Sequence, residues 1–292
     1  MTISNPARTR KYNAISMNEP TLTQSDCLVP HWRVSPRVHA LVTTRVGGVS
    51  LPPYGRWVDG REAAGGLNLG LHTGDDPAHV AQNRARLRAL AGARAVWLEQ
   101  VHGGTVVRAD EVPLDGPPVR ADASVTSEPG IACLVMVADC LPVLLCDANG
   151  RAVGAAHAGW RGLAGGIVET TAQRVADLAQ CGAQTLHAYL GPAIGPNAFE
   201  VGDDVREAFI AAAAPGERDA TARAFVARDS SEKPSGKHYA DLYALARARL
   251  ARLGVTRVTG GDACTVTDRE RFYSYRRDGV TGRMAALVWL SD

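Results

Sequence analysis

Two apolar runs joined by a short polar turn constrain the fold of this chain more than any other stretch. The first run covers residues 141–146, the second ends on His157, and Asp-Ala-Asn-Gly separates them at 147–150. Asn-Gly between two apolar runs is a strong hairpin signal, because both residues accept the left-handed backbone of a tight turn. We therefore predict a β-hairpin whose open end brings the Cys140 thiol beside the His157 imidazole. Such a pair is half of a metal site or of a Cys-His nucleophile pair.

The composition limits the classes of protein to which the chain can belong. The 292 residues are 46% hydrophobic, enough to bury a large core, and the formal net charge is +2. No long block of Lys or Arg interleaved with aromatic residues occurs, so we expect no nucleic-acid partner. No apolar run reaches the length of a membrane span, and the N-terminal segment lacks the apolar core of a signal peptide. Because the six cysteines include no Cys-x-x-Cys pair, we expect a reduced, cytoplasmic protein without membrane contact.

The order of the predicted elements indicates an α+β fold. Several strands follow one another without an intervening helix, which disfavours a doubly wound βαβ arrangement and favours mixed sheets covered by helices. A strand is predicted over residues 96–102 and a helix over residues 163–178. Residues 1–30 are polar and mixed in character. We predict that they form a loose N-terminal extension and that residues 31–292 form a single domain.

Three potential metal ligands stand at the ends of predicted strands, each close to glycine or proline. They are His102 before Gly-Gly, Cys140 before Leu-Pro and His157 before Ala-Gly. Two imidazoles and a thiolate form a three-ligand set that suits Zn²⁺ with a fourth position open. The gaps between them match no short zinc motif, so a packed β-core with satisfied histidines and a buried cysteine is the competing interpretation.

The segment that follows the hairpin is a candidate anion site. Gly159–Gly162 reads Gly-Trp-Arg-Gly and precedes the predicted helix. A glycine-bearing turn that opens a helix presents free backbone N–H groups to phosphate or carboxylate, and Arg161 would add a bidentate contact. An ordinary strand-to-helix turn explains the same residues equally well.

Five blocks of the sequence resemble one family. They are TTRVGGVS at 43–50, LNLGLHTGDDPAHVAQNR at 67–84, WLEQVHGGTV at 97–106, the hairpin region at 138–162 and CTVTDRERFYSYRRDGVTGRMAAL at 264–287. Together they are similar to the YfiH-type, or laccase-domain, family, formerly labelled multicopper polyphenol oxidases. The resemblance covers about residues 38–290. It implies an α/β sandwich in which β-sheets are layered between helices.

The resemblance also implies a cofactor and an activity. Members of the family hold zinc with His, Cys and His, at positions that match His102, Cys140 and His157. They phosphorolyse adenosine, inosine and methylthioadenosine to free base and ribose 1-phosphate or its methylthio analogue, and they deaminate adenosine. Some bacterial members are described as peptidoglycan editing factors. A purine nucleoside and phosphate are therefore the expected small-molecule partners of a monomer or homodimer.

Each of these reactions needs further side chains. Deamination needs a proton carrier, for which Asp139 is the candidate; the His-x-Glu and Pro-Cys-x-x-Cys signature of classical zinc deaminases is absent. Phosphorolysis needs cationic groups that hold phosphate and stabilise charge as the glycosidic bond breaks. The candidate catalytic residues are therefore Asp139, Cys140 and Arg161, and the candidate substrate contacts are Arg45, Asn68, Gly159 and Arg276.

Three other functions compete with zinc-dependent nucleoside chemistry. Multicopper oxidation needs several copper sites with many histidines, whereas this chain has eight scattered histidines in all. A Cys-His hydrolase, with Cys140 as nucleophile and His157 as base, would suit an amide-cleaving role in peptidoglycan precursor editing. A non-catalytic interaction module is the third, and polar residues gathered at strand ends disfavour it.

Overall fold

The computed structural model describes residues 22–113, 115–228 and 236–292. Their strands are β1 (Cys27–Leu28), β2 (Val38–Thr43), β3 (Val46–Ser50), β4 (Arg56–Val58), β5 (Arg61–Ala63), β6 (Arg94–Val96), β7 (Leu98–Glu99), β8 (Val106–Arg108), β9 (Val119–Arg120), β10 (Ala123–Thr126), β11 (Ile131–Val137), β12 (Leu141–Asp147), β13 (Val153–Ala158), β14 (Leu186–Leu190), β15 (Glu200–Gly202), β16 (Phe225–Ala227), β17 (Lys237–Ala240), β18 (Arg257–Gly260) and β19 (Met284–Leu290). Their α-helices are α1 (Pro77–Ala91), α2 (Trp160–Ala164), α3 (Ile167–Ala179), α4 (Asp203–Ala211), α5 (Arg218–Arg223), α6 (Leu242–Ala251) and α7 (Tyr275–Asp278). No helix in these ranges is long and apolar enough to cross a membrane.

Two large sheets form the centre of the molecule. One has five strands in the order β1-β2-β19-β11-β6, and the other has six in the order β18-β14-β12-β13-β10-β8. Both sheets are mixed. In the five-stranded sheet β11 pairs with β6 in parallel and with β19 in antiparallel fashion. In the six-stranded sheet β10 pairs with β8 in parallel, and β12 pairs with β13 in antiparallel fashion. A third, small sheet has the strand order β15-β17-β16, and α4 and α5 come between β15 and β16 in the sequence. The predicted α+β class is confirmed.

The alternation of side chains along the central strands builds the layers. In β12, Leu144 and Cys146 pack with Cys133 and Val135 of β11, so these faces of the two sheets meet. The other face of β12 presents Val143 and Leu145 to the core formed with α3 and α6. On the far side of the five-stranded sheet, the apolar side of α1 covers β2, β11 and β19. Successive side chains along these strands point to opposite faces of each sheet, and both faces are buried. Each sheet therefore packs against the other sheet on one face and against helices on the other, in the order helix, sheet, sheet, helix.

The hairpin lies at the heart of the six-stranded sheet, where the sequence predicts it. Leu141 pairs with Ala158 and Pro142 with His157, so the open end carries Cys140 opposite Gly159. On the other side of β13, β10 pairs with it so that Ala123 lies opposite Ala156. The starts of β10 and β12 and the end of β13 therefore meet at one edge.

The structure corrects two predicted elements. The helix expected over residues 163–178 is divided into α2 and α3, because Gly166 takes a left-handed φ of 89° between them. The strand expected over residues 96–102 stops at Glu99, and His102 follows in a loop with a φ of 59°. His102 therefore lies in a constrained loop and not on a strand end.

The predicted loose extension also differs where the structure describes it. Leu22 is buried, and β1 pairs with β2 in the five-stranded sheet. Residues 22–28 are thus part of the fold, whereas residues 1–21 lie outside the described residues. That the rest of the chain forms a single domain stays a prediction.

We expect Gly154→Ala to destabilise the protein by about 1–3 kcal/mol, because a methyl group there overpacks the core. An added Cβ would lie 2.8 Å from Val175 Cγ2 and 3.0 Å from Val125 Cγ1. Gly216→Ala is the matched control, since an added Cβ meets no atom within 4 Å. Urea denaturation of both variants tests the packing, and equal midpoints would contradict this close approach of α3 to the sheet.

Candidate metal centre

Three potential ligand side chains converge at the open end of the hairpin. One donor atom from each of His102, Cys140 and His157 lies within 4.8 Å of the others. Cys140 Sγ is 3.7 Å from His102 Nε2, and the two imidazole rings meet edge to face at a centroid distance of 4.8 Å. Donor atoms bound to one tetrahedral zinc at about 2.0–2.3 Å lie roughly 3.3–3.6 Å apart, so the most distant pair would have to approach by about 1 Å or slightly more. Side-chain rotation on that scale would allow the cluster to hold a metal ion.

A carboxylate that sequence reasoning missed orients one ligand side chain and holds the backbone that carries another. Asp122, fully buried just before β10, accepts a hydrogen bond from His157 Nδ1 at 2.8 Å. It also accepts the backbone N–H groups of His102 at 2.8 Å and Gly103 at 2.7 Å. With Nδ1 occupied by Asp122, the second ring nitrogen of His157, Nε2, is the one that faces Cys140. Metal-binding histidines commonly have such a carboxylate partner, which sets the tautomer and ring orientation.

The charges in the cluster favour a thiolate. Burial alone would raise the pKa of Cys140, but hydrogen bonds from His102 and His157 and their positive charge lower it to about 6. Burial works against the His157 imidazolium, yet hydrogen bonds to Asp122 and Cys140 raise its pKa to about 9. Burial likewise opposes ionisation of Asp122, and the His157 and backbone contacts outweigh it and lower its pKa. Cys140 is thus a ready metal ligand at neutral pH.

Because Gly159 has no side chain, the His-Cys-His cluster can occupy the space next to it. A Cβ at this position would lie 2.9 Å from His102 Cδ2 and 3.1 Å from Cys140 Sγ. Any side chain would therefore displace two of the three potential ligands. The geometry associates Gly159 with the cluster itself, whereas the sequence predicted a substrate contact. Together with two nitrogens and a sulfur as donors, this space fits a bound metal ion.

A cavity of about 650 Å³ opens over the cluster. Ligand pockets for small organic molecules span about 300–1,000 Å³, so this one has the size of a typical ligand site. His102, Cys140 and His157 line it together with Arg276, Arg283 and His72, whose pKa is lowered by burial and by the charges of Arg283 and Arg84, so that it is a neutral imidazole. Much of the remaining wall is apolar or aromatic: Leu98, Val137, Trp160, Ile194, Phe199 and Leu242.

Two predicted site residues meet in the wall of this cavity. Asp139, in a left-handed conformation with a φ of 100°, accepts hydrogen bonds from Thr265 Oγ1 and from the backbone N–H of Arg276, each at 2.6 Å. The guanidinium of Arg276 lies over the Phe199 ring and donates to the carbonyl oxygen of Glu200. Both residues line the cavity.

Arg45 does not line the cavity. It is fully buried, donates twice to the carbonyl oxygen of Gly55 at 2.7 and 3.0 Å, and pairs with Glu62. The geometry gives Arg45 a structural role and no support as a substrate contact.

Asn68 and Arg161 are also absent from the cavity lining. Asn68 is fully buried and its amide donates to Thr73 Oγ1 and Asp75 Oδ2. Arg161 is exposed on the five-residue helix α2, with its guanidinium over the Trp160 ring. Gly159 caps that helix as predicted, but Trp160, and not Arg161, lines the cavity.

The fold and the site define a class of protein: a layered α/β sandwich with a His-Cys-His centre at the open end of its central hairpin. The family described as "Multi-copper polyphenol oxidoreductase laccase" matches residues 39–291. The chain belongs to this family, and the resemblance of its sequence blocks is confirmed.

Relatives and solved structures agree with this membership. Purine nucleoside phosphorylase YfiH of Escherichia coli (strain K12) is 49% identical over 271 residues, covering 91% of this chain and 99% of its own. Purine nucleoside phosphorylase PA4543 of Pseudomonas aeruginosa is 51% identical over 265 residues, covering 91% and 98%. The crystal structure of Neisseria meningitidis protein NMB0706 has a TM-score of 0.79 at 46% identity, covering 91% of this chain and 100% of that chain.

We expect Asp122→Asn to weaken metal binding about 10–100-fold, because the amide no longer fixes His157 as the carboxylate does. Competition against a chromophoric zinc chelator measures the change. Asp147→Asn is the matched control: Asp147 is equally buried, but it pairs with Arg151 at the turn end of the hairpin. Equal losses in both variants would mean that Asp122 has only a general structural role.

The lowered pKa of Cys140 has a direct chemical consequence. In metal-free protein the thiolate forms as pH rises through about 6, so alkylation by iodoacetamide should rise with that midpoint and level off by about pH 8. Burial raises the pKa of Cys133 to about 12, so this residue should stay unmodified. Mass spectrometry of the labelled peptides distinguishes the two sites. A Cys140 midpoint near that of an ordinary thiol, about 8.5, would contradict the described electrostatics.

Proposed function

We propose that this protein is a zinc-dependent purine nucleoside phosphorylase that cleaves adenosine, inosine and methylthioadenosine, with adenosine deaminase activity in the same cavity. The observation that carries the proposal is the His-Cys-His cluster in the wall of a cavity that also presents Arg276 and Arg283. The names of the relatives from Escherichia coli and Pseudomonas aeruginosa support the substrate class. The six free cysteines suit a reducing, cytoplasmic location.

The donor set supports zinc in preference to several coppers. All eight histidines lie in the described part of the chain, and His102, Cys140 and His157 form its one group of close potential ligands. A multicopper oxidase needs further groups of histidines, which this part of the chain lacks. Zinc held by these three residues supplies Lewis-acid polarisation of a substrate or water oxygen.

Phosphorolysis would use the walls of the cavity in distinct ways. A phosphate oxygen bonds to C1′ of the ribose while the bond from C1′ to the purine nitrogen breaks. The bonding electron pair leaves with the base, which takes up a proton. Arginine side chains stabilise the phosphate and the developing charge. Phe199 and Trp160 add aromatic surface to the wall against which a flat purine ring can pack, and the apolar wall limits access of competing water.

Deamination places a different demand on the same site. Water adds at C6 of adenine and ammonia departs, so protons must move from the oxygen to the leaving nitrogen. Asp139 is the proposed carrier, since its carboxylate lies in the cavity wall. Thr265 and the Arg276 backbone hold that carboxylate in one orientation. Each carboxylate oxygen keeps a second lone pair for a substrate proton.

A Cys-His hydrolase acting on peptidoglycan precursors is the second candidate, and one observation favours it. Cys140, His157 and Asp122 are connected in the order thiol, imidazole, carboxylate. This is the arrangement of an activated cysteine nucleophile with an oriented base. A metal at the same side chains would occupy the thiolate and remove it from covalent chemistry.

Turnover by metal-stripped protein separates the two candidates. We expect chelation to abolish the phosphate-dependent release of adenine from adenosine, and added zinc to restore it. Chromatography of the free base and of ribose 1-phosphate measures the reaction. Cys140→His should keep some metal and some turnover, because imidazole is also a zinc ligand. Protein dialysed without chelator is the control. Full activity after stripping, together with complete loss in Cys140→His, would favour the cysteine nucleophile.

A further inference from the structure

Arg283 is a half-buried cation that forms no direct ion pair in the described structure, although Cys140 and Asp139 are near enough to stabilise its charge. Its Nη1 donates to the carbonyl oxygens of Thr281 and Gly282, each at 3.1 Å. Within the described residues, no carboxylate pairs with it, and Nε and Nη2 make no hydrogen bond. The side chain lines the cavity, and burial lowers its pKa. A guanidinium stays charged at neutral pH even so, and a partly desolvated guanidinium with two nitrogens free of hydrogen bonds can bind an anion.

The chain holds this guanidinium in a fixed place. The Arg283 backbone N–H donates to Asn68 Oδ1 at 2.9 Å. The aliphatic stem lies against Gly70, where an added Cβ would come within 2.8 Å of Arg283 Cγ. The short turn Leu71–Thr73 follows directly, and His72 from this turn lines the same cavity. Asn68, predicted as a substrate contact, therefore acts on the cavity through Arg283.

The other arginines near the cavity are less suited to an anion. Arg276 is exposed, so water screens its charge, whereas Arg283 is half-buried; each guanidinium lies over an aromatic ring, that of Phe199 and that of Tyr275. Arg161 lies outside the cavity lining. The fork of Arg283, in contrast, keeps Nε and one terminal nitrogen for the bidentate pairing that phosphate oxygens favour.

We propose that Arg283, with His72 beside it, forms the subsite that binds inorganic phosphate during the reaction. This inference rests on the proposed phosphorolysis and adds the residue that receives the second substrate. Neutral nucleoside binds in the remainder of the cavity, so loss of the Arg283 charge should weaken phosphate binding much more than nucleoside binding.

Kinetics of the zinc-loaded protein test this assignment. We expect Arg283→Gln to raise the KM for phosphate by about tenfold or more, because a hydrogen bond to a charged group is lost, with a much smaller change in the KM for inosine. Arg283→Lys should lie between, since it keeps the charge but loses the fork. Arg271→Gln is the matched control: Arg271 is exposed, pairs with Asp268 and is not part of the cavity lining.

Calorimetric titration with inorganic phosphate separates failure of the subsite from failure of the proposed function. Wild-type protein that binds phosphate through Arg283 but releases no base would overturn phosphorolysis and keep the subsite. Base release with an unchanged phosphate KM in Arg283→Gln would overturn the subsite alone. A rise in the inosine KM equal to that for phosphate would also overturn it. If Arg283→Gln fails to fold, Arg283→Lys decides, since an unchanged phosphate KM there rejects the bidentate contact.

Discussion

The Asp122 carboxylate is the contact on which the geometry of the site depends. It ties the end of β13, through His157, to the loop that carries His102. A fully buried carboxylate is costly unless its oxygens are paired, and here three backbone N–H groups and an imidazole satisfy them. The same group therefore holds the His157 imidazole and the backbone that carries His102 next to Cys140.

The layered core explains why this contact can be so well defined. The six-stranded sheet is covered on one face by helices and on the other by the five-stranded sheet, so β12 and β13 are buried along their whole length. Small residues in β13 let α3 and the neighbouring strands approach closely, as Gly154 illustrates. Rigid strands hold the ends that carry Cys140 and His157, and the loops beyond them leave space for the cavity.

Local sequence signals were sufficient for the hairpin, and the family resemblance was needed to add His102 to the cluster; neither revealed the residues around them. Apolar runs and an Asn-Gly turn are local signals, so they predict that Cys140 and His157 meet. Asp122 carries no such signal: it reaches His157 only because β10 pairs with β13. Arg45 and Asn68 lie in sequence blocks that match the family, yet their side chains satisfy buried backbone and polar groups. A matched block cannot distinguish a residue that binds substrate from one that holds the loop around it.

The protonation state of the cluster affects both of its possible roles, as a metal centre and as a cysteine nucleophile with an oriented base. In the absence of metal, Asp122 stabilises the His157 imidazolium, whose pKa is raised to about 9, next to a Cys140 thiolate formed above about pH 6. A metal ion that binds His157 must displace this proton, because only neutral imidazole is a ligand. Between these two pKa values, metal binding therefore releases the His157 proton and strengthens as pH rises. The carboxylate that orients His157 for a metal also stabilises the charged form that competes with the metal, so orientation is gained at some cost in affinity near neutral pH.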